Sequence, residues 1–200
     1  MTPPRVTGCI LAGGQATRMG GVDKGLVLLE GRPLIAYVAE RFAPQVDGLI
    51  ISANRNQEHY RAYADTVVSD ARDDYAGPLA GIAAALPVTH TPYLAIAPCD
   101  SPLLPHDLVS RLYGALAQCD ASVAVARTAD GLQPVYALIA GHLAPSLATY
   151  LETGGRKIDR WYMGAGMTEV EFTDAAAFLN VNTPEDLGRC ARLRMRRPAP

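Results

Sequence analysis

The residues with the clearest chemical potential run from Leu11 to Gly25: Leu11-Ala12-Gly13-Gly14-Gln15-Ala16-Thr17-Arg18-Met19-Gly20-Gly21-Val22-Asp23-Lys24-Gly25. Five of these residues are glycines, and Arg18 and Lys24 are the only cations. Glycine lets backbone N–H groups approach a ligand closely, and the two cations add charge for an anion. A polyphosphate satisfies both features. A glycine-rich surface turn would have the same composition, so residues further along must decide. The run is not a P-loop, because Gly25 rather than Ser or Thr follows Lys24, and it contains no G-x-G-x-x-G. Two carboxylates join it. Asp100 stands between prolines in Pro98-Cys99-Asp100-Ser101-Pro102, a rigid setting that suits a magnesium ligand, since magnesium takes one or two carboxylates plus phosphate oxygens. Capping the residues after it is the alternative role. Asp70 could accept the paired N–H donors of a guanine edge, or simply form a turn. Asp73 and Asp74 read as solvated loop charges. His59, His90, His106 and His142 have no metal-binding spacing and read as structural or surface residues.

These residues need elements to position them. The apolar run Val6–Leu11 reads as a buried strand. Leu26–Leu29 adds a short extended piece, and Gly31-Arg32-Pro33 turns the chain. Leu34, Ile35, Val38, Ala39 and Phe42 recur at helical spacing, predicting a helix over 33–43 with Pro33 in its first turn and Pro44 at its end. Leu49–Ser52 reads as a strand, 57–64 as a short helix, and Val67–Val68 as a short strand. Pro78 opens a helix that Pro87 closes. Tyr93–Ala97 is a strand, Pro105 to about Gln118 a helix, and Ala121–Ala126 a strand. The second part is less regular. It has a loop or hairpin bend over Thr128–Leu132, a strand at Gln133–Leu138, a helix over 142–152 and a break at Gly154-Gly155. Arg156–Met163 then reads as helical, Met167–Glu171 as extended and Phe178–Val181 as a short strand. Thr183 caps a last helix running to about Leu193, with Pro184 at its first position.

Alternating strands and helices imply a three-layer α/β/α fold around a mostly parallel, Rossmann-like sheet. In such a sheet ligands bind beyond the carboxyl ends of the strands, where strand order reverses. The glycine loop, Ser52-Ala53-Asn54, Asp70 and Asp100 each follow a strand, so they should share one edge.

Composition sets the outer bounds. At 200 residues, 49% hydrophobic and 19% charged, the chain fits a single globular domain over 1–200, with a core of about 6–193 and residues 194–200 as a flexible tail. A net charge of −2 argues against bulk nucleic-acid binding. Cys9, Cys99, Cys119 and Cys190 are too scattered for a zinc site. No signal-peptide pattern and no apolar span of about 18 residues is visible. The expectation is therefore a cytoplasmic protein that does not engage a membrane.

Several stretches together resemble a known family. Leu11-Ala12-Gly13-Gly14, Arg18-Met19-Gly20 and Asp23-Lys24 resemble the signature loop of the nucleotide-diphospho-sugar transferase fold. With Gly20–Gly25, Ala53-Asn54-Arg55, Tyr75–Gly81, Pro98–Pro102 and Asn180-Val181-Asn182-Thr183-Pro184, the chain is similar to the molybdenum cofactor guanylyltransferases (MobA) over roughly 6–193.

The resemblance implies magnesium-dependent transfer of GMP from GTP to molybdenum-molybdopterin, with manganese as a substitute metal. Leu11, Ala12, Gly13 and Gly14 would hold the nucleotide. Lys24 would bind phosphate with help from Arg18, Asp70 would contact the nucleotide, and Asp100 would bind GTP and the metal. Pro78, Leu79 and Gly81 fall in the stretch that favours GTP. Ser52 stands where the family often carries Asn, so either Ser52 or Asn54 would supply that contact. Asn180 and Asn182 would orient substrate or water. Arg156 and Lys157 are candidates for the acceptor phosphate or for a solvated helix start. Other molybdenum-cofactor biosynthesis proteins and molybdoenzyme chaperones are the implied partners, and a monomer is expected. Three other readings remain open at this point: a CTP-using relative, a sugar-1-phosphate nucleotidyltransferase, and a non-catalytic cofactor carrier.

Overall fold

A computed structural model describes residues 5–13, 23–70 and 77–196. Strand β1 (Val6–Leu11) is the apolar run that opens the chain. Past the glycine loop, a short 3-10 turn at Lys24–Leu26 leads into a small hairpin, β2 (Leu28–Leu29) and β3 (Arg32–Pro33). Helix α1 (Leu34–Phe42) follows, with Pro33 as its cap residue rather than in its first turn. All five residues read as its apolar stripe are buried. Next come β4 (Gly48–Ser52), the single turn α2 (Gln57–Tyr60) and β5 (Thr66–Val68). Helix α3 (Pro78–Ala85) starts with Pro at a position whose missing N–H leaves no bond unmade. Pro87 does not stop the chain outright, which continues as a 3-10 turn over Leu86–Val88.

Strand β6 (Tyr93–Pro98) and helix α4 (Leu108–Leu116) come next. Asp107 rather than Pro105 marks the helix start. Strands β7 (Val123–Thr128) and β8 (Gly131–Ala140) form a hairpin. Its register jumps between Val125 and Ala126, so that Val125 faces Ala137 and Ala126 faces Gln133. Pro134 lies in the skipped stretch, where a residue without an N–H cannot serve the ladder. Helices α5 (Ala144–Glu152) and α6 (Ile158–Gly164), strand β9 (Met167–Glu171) and helix α7 (Pro184–Met195) complete the chain. The stretch read as a strand at Phe178–Val181 differs: Ala175–Phe178 is a 3-10 turn, and the following residues run irregularly.

Seven strands form one sheet in the order β5-β4-β1-β6-β8-β7-β9. Strands β5, β4, β1 and β6 are mutually parallel, β8 runs antiparallel to β6 and β7, and β9 is parallel to β7. Side chains alternate between the two faces, as strand geometry requires. Val6, Ile10, Ala95, Ala97, Tyr136 and Leu138 pack with α1 and α4 residues such as Val38, Phe42, Leu108 and Leu112. Cys9, Leu94, Ile96, Ala137 and Ile139 pack on the other face with α3, α5 and α6 residues such as Ile82, Leu147 and Tyr162. Burial pushes the Cys9 thiol up to about 12, so it stays neutral as a small apolar side chain.

A third cluster ties α7 to α1 through Leu34, Tyr37, Val181 and Cys190. Arg32 and Arg194 sandwich the Tyr37 ring, at 4.6 and 4.1 Å from its centroid. Arg194 also pairs with Glu30. Residues 194 and 195, expected in a loose tail, instead belong to α7, held by this clamp, and residues 197–200 lie outside the described residues. No helix among the described residues is long and apolar enough to cross a membrane.

Candidate active site

The chain leaves β1, travels to β4 and β5 on one side, then returns through α3 to β6 on the other. Strand order therefore reverses beside β1, the place where open parallel sheets bind ligands. Register fixes the level of the loops there. Leu11 lies opposite both Ser52 and Pro98, and Ser52 lies opposite Val68. Backbone bonds from Ala12 N to Ser52 O, from Ala53 N to Val68 O and from Cys99 N to Leu11 O extend that level past the strand ends. Residues 13, 54, 70 and 100 consequently emerge together.

A cleft of about 430 Å³ opens at this edge, within the usual size for a small-molecule site. Of the residues singled out from sequence, Leu11, Ala12, Gly13, Lys24, Ser52, Asp70, Pro78, Gly81 and Asp100 line it. Leu79 does not, as its side chain is fully buried in the core under the sheet. Gly14, Arg18, Asp73 and Asp74 lie outside the described residues. Gly77, Pro98, Cys99, Val135 and Asp23 also line the cleft but were not among the sequence candidates.

Lys24 and Asp100 meet across the cleft. The Lys24 ammonium donates to Asp100 Oδ2 at 3.2 Å and also to Asn182 Oδ1. Asp100 is almost fully buried. Burial raises its carboxyl above the ordinary value, and the Lys24 charge and hydrogen bond offset part of that rise. Asp100 O accepts the Val181 N–H at 2.9 Å, which anchors the Asn180–Asn182 segment to the same loop. The segment is held from its other end by a reciprocal cap. Asp186 accepts the Asn182 and Thr183 N–H groups, both at 3.0 Å, while Thr183 Oγ1 accepts the Asp186 N–H. Asn180 points away from Lys24. Tyr136 Oη donates to Ser101 Oγ at 2.5 Å, and Ser101 Oγ donates to Asn180 Oδ1 at 2.5 Å. This buried relay braces the Asp100 loop from beneath.

Asp23, next to Lys24, is held by two partners. Tyr60 Oη donates to its Oδ1, and Asn56 Nδ2 donates to its Oδ2 at 3.1 Å. Burial keeps the Tyr60 phenol protonated, far above its ordinary range. At the opposite rim Asp70 is gripped by Asn54, whose Nδ2 lies 2.7 Å from Asp70 Oδ2. Arg156 and Lys157 stand apart from the cleft. Arg156 Nη1 donates to Leu151 O at 3.0 Å and Gly155 O at 2.7 Å, and Lys157 is the residue before α6.

Gly81 sets how closely α3 approaches the strand ends. A Cβ there would fall 2.8 Å from Ser52 Oγ and 2.9 Å from Leu11 Cδ2. Gly81→Ala is therefore expected to push α3 outward, destabilising the fold by about 1–3 kcal/mol and weakening nucleotide binding. Gly114→Ala in α4, where a Cβ meets nothing within 4 Å, should instead be neutral or gain up to about 1 kcal/mol. Urea denaturation of the two variants checks the contrast.

In chemical terms the cleft offers, among the described residues, a cation and a single buried carboxylate. Among the described residues, no cluster of three or more His, Cys, Asp or Glu could hold a metal alone. One buried carboxylate beside a lysine fits magnesium in an NTP site, because magnesium binds largely through substrate phosphates and water.

The profile of the MobA-like NTP transferase domain matches residues 8–166. The chain is 48% identical over 198 residues to the molybdenum cofactor guanylyltransferase of Ralstonia nicotianae, covering 94% of this chain and 97% of that protein. It is 47% identical over 183 residues to the molybdenum cofactor guanylyltransferase of Shewanella frigidimarina, covering 91% and 93%. The fold is similar to the crystal structure of molybdopterin-guanine dinucleotide biosynthesis protein A from Archaeoglobus fulgidus. There the TM-score is 0.78 at 23% identity, covering 96% of this chain and all of that one.

Proposed function

The chain belongs to the MobA-like NTP transferase family, and from that premise we propose that it is a molybdenum cofactor guanylyltransferase. It transfers GMP from GTP to molybdenum-molybdopterin, giving the guanine dinucleotide cofactor and diphosphate. The observation that carries the reading is the meeting of Lys24 and Asp100 in the cleft at the point of strand reversal, in a chain this similar to guanylyltransferases.

An oxygen of the acceptor's terminal phosphate attacks the α-phosphorus, and the bond to the β-phosphate oxygen breaks with its electron pair leaving on diphosphate. No general base is needed, because a phosphate nucleophile is already ionised at neutral pH. Leu11, Ala12 and Gly13 hold the nucleotide by their backbone. Lys24, aided by Arg18 and Gly14 of the loop, offsets the charge that grows on the leaving group. Asn182 holds the Lys24 ammonium at the cleft floor, and Asn180 steadies the loop that carries Asp100. Asp70 and Ser52 face the nucleotide from β5 and β4, beside Pro78 and Gly81 of α3. Asp100 would hold magnesium, or manganese in its place, which supplies Lewis-acid stabilisation of the phosphates when bound. The scattered spacing of Cys9, Cys99, Cys119 and Cys190 suits a reducing compartment, and the cytoplasm is the proposed place of action.

The test is a diphosphate-release assay with molybdenum-molybdopterin and each of GTP, CTP and ATP. Release with GTP well above the other two is expected. Equal or faster release with CTP would replace guanylyl by cytidylyl transfer, and no release with any nucleotide would leave a binding protein.

A further inference from the structure

Asp70 faces the cleft at the end of β5, and Asn54 sits behind it at the end of β4 without lining the cleft itself. Two hydrogen bonds join the pair. Asn54 Nδ2 donates to Asp70 Oδ2 at 2.7 Å, and the Asp70 backbone N–H donates to Asn54 Oδ1 at 2.9 Å. The amide thus closes a ring onto residue 70 that fixes both its backbone and the plane of its carboxylate. The bond from Ala53 N to Val68 O, at 2.8 Å, holds the two strand ends in the register that makes this ring possible. The third polar neighbour, Ser52 Oγ, reaches Asp70 Oδ1 only at 3.5 Å and cannot set the plane. On the β1 side Gly13 packs beside the pair. A Cβ at Gly13 would stand 3.4 Å from Asn54 Nδ2 and 3.7 Å from Asp70 Oδ2, so a side chain there would crowd the carboxylate that glycine leaves clear of it.

A carboxylate reads two adjacent N–H donors only when its plane is aligned with them. Guanine presents such a pair at N1 and the 2-amino group, whereas hypoxanthine has only N1–H, and adenine presents no such pair. We infer that Asn54 is a positioning residue for base selection, orienting the Asp70 carboxylate to read the N1 and 2-amino edge of guanine. This inference rests on the reading of the chain as a guanylyltransferase. Asn54 touches no substrate and acts through Asp70. Its removal should therefore erase discrimination between bases while sparing the contacts that all nucleoside triphosphates share.

Isothermal titration of the intact protein with GTP, ITP and ATP in magnesium reads this directly. Wild type should prefer GTP over ITP by about 10- to 100-fold, the span of a hydrogen bond to a charged group. Asp70→Asn should lose that preference. Asn54→Ala should bring it to within a few-fold of the Asp70→Asn value, with ATP affinity unchanged. Asn54→Asp, which sets a like charge against Asp70, should do at least as much. A purely structural role for Asn54 would weaken all three nucleotides alike and leave the ratio intact, overturning the inference. So would a wild-type ratio in both Asn54 variants when Asp70→Asn has lost it. Retention of the ratio in Asp70→Asn, or none in wild type, removes Asp70 as the reader and the inference with it. Failure of wild type to bind GTP at all would instead sink the guanylyltransferase reading.

Discussion

Asp100→Asn should lower guanylyl transfer by about 100- to 1000-fold while leaving the free protein as stable as wild type or more so at pH 7. The two halves have one cause. Asp100 is nearly buried, and burial raises its carboxyl above the ordinary aspartate value despite the nearby Lys24 charge. A group whose folded pKa is raised gives stability that is present below the unfolded value and lost as pH rises through the folded value. Ionising Asp100 in the folded protein therefore carries a cost that asparagine does not incur. Asparagine keeps the shape, and the backbone bond from Val181 N to Asp100 O does not involve the side chain. What asparagine cannot do is lend a full negative charge to a metal on the phosphates. Turnover and thermal unfolding measured on one preparation check both halves. Wild-type turnover would remove Asp100 from the reaction, and a large loss of stability would mean the carboxylate is structural.

Much of this site was legible in the sequence because its parts follow local rules. A continuous apolar run made β1, and a 3.6-residue stripe made α1. Strand–helix alternation then placed Gly13, Ser52, Asp70 and Asp100 on one edge before any contact was known. The contacts that brace those residues were not legible, because they join distant positions with no local pattern. Tyr60 reaches Asp23 across 37 residues, and Tyr136 reaches Ser101 across 35. Gln133–Leu138 read simply as a strand, with no sign of the register jump that skips Pro134, or that Val135 reaches the cleft. Phe178–Val181 read as a strand, yet Phe178 ends a 3-10 turn, the residues after it run irregularly, and Val181 donates its N–H to Asp100 O. Arg156 read as an anion ligand or a solvated helix start beside a glycine break, and its guanidinium donates to Leu151 O of α5 and to Gly155 O. Arg194 looked like part of a loose tail, and no sequence pattern could reveal the Tyr37 ring beneath it.

Lys24→Ala should also abolish transfer, by about 100- to 1000-fold, but with the opposite effect on stability. The Lys24–Asp100 pair is 28% and 11% exposed at its two side chains, between a surface pair and a buried one. Removing the lysine takes away the charge that offsets the burial of the carboxylate, and frees Asn182 Oδ1 from that bond as well. A loss of about 1–3 kcal/mol at pH 7 is expected, intermediate between those two cases. The sign of its pH dependence follows from the same group. Without Lys24 the folded pKa of Asp100 rises further, so the deficit relative to wild type grows as pH rises from the wild-type folded value to the variant's and is constant above it. It should close as pH falls below the wild-type folded value, where Asp100 is protonated in both folded proteins. Denaturant unfolding of wild type and Lys24→Ala between pH 4 and 8 measures this. The double variant Lys24→Ala/Asp100→Asn then separates structure from chemistry. Removing the unpaired charge should restore most of the lost stability, because the two changes share one interaction and cannot add. It should restore none of the turnover, since neither the phosphate-binding cation nor the metal-binding carboxylate remains. A double variant as unstable as Lys24→Ala alone would show that the lysine is held for its packing rather than for its charge.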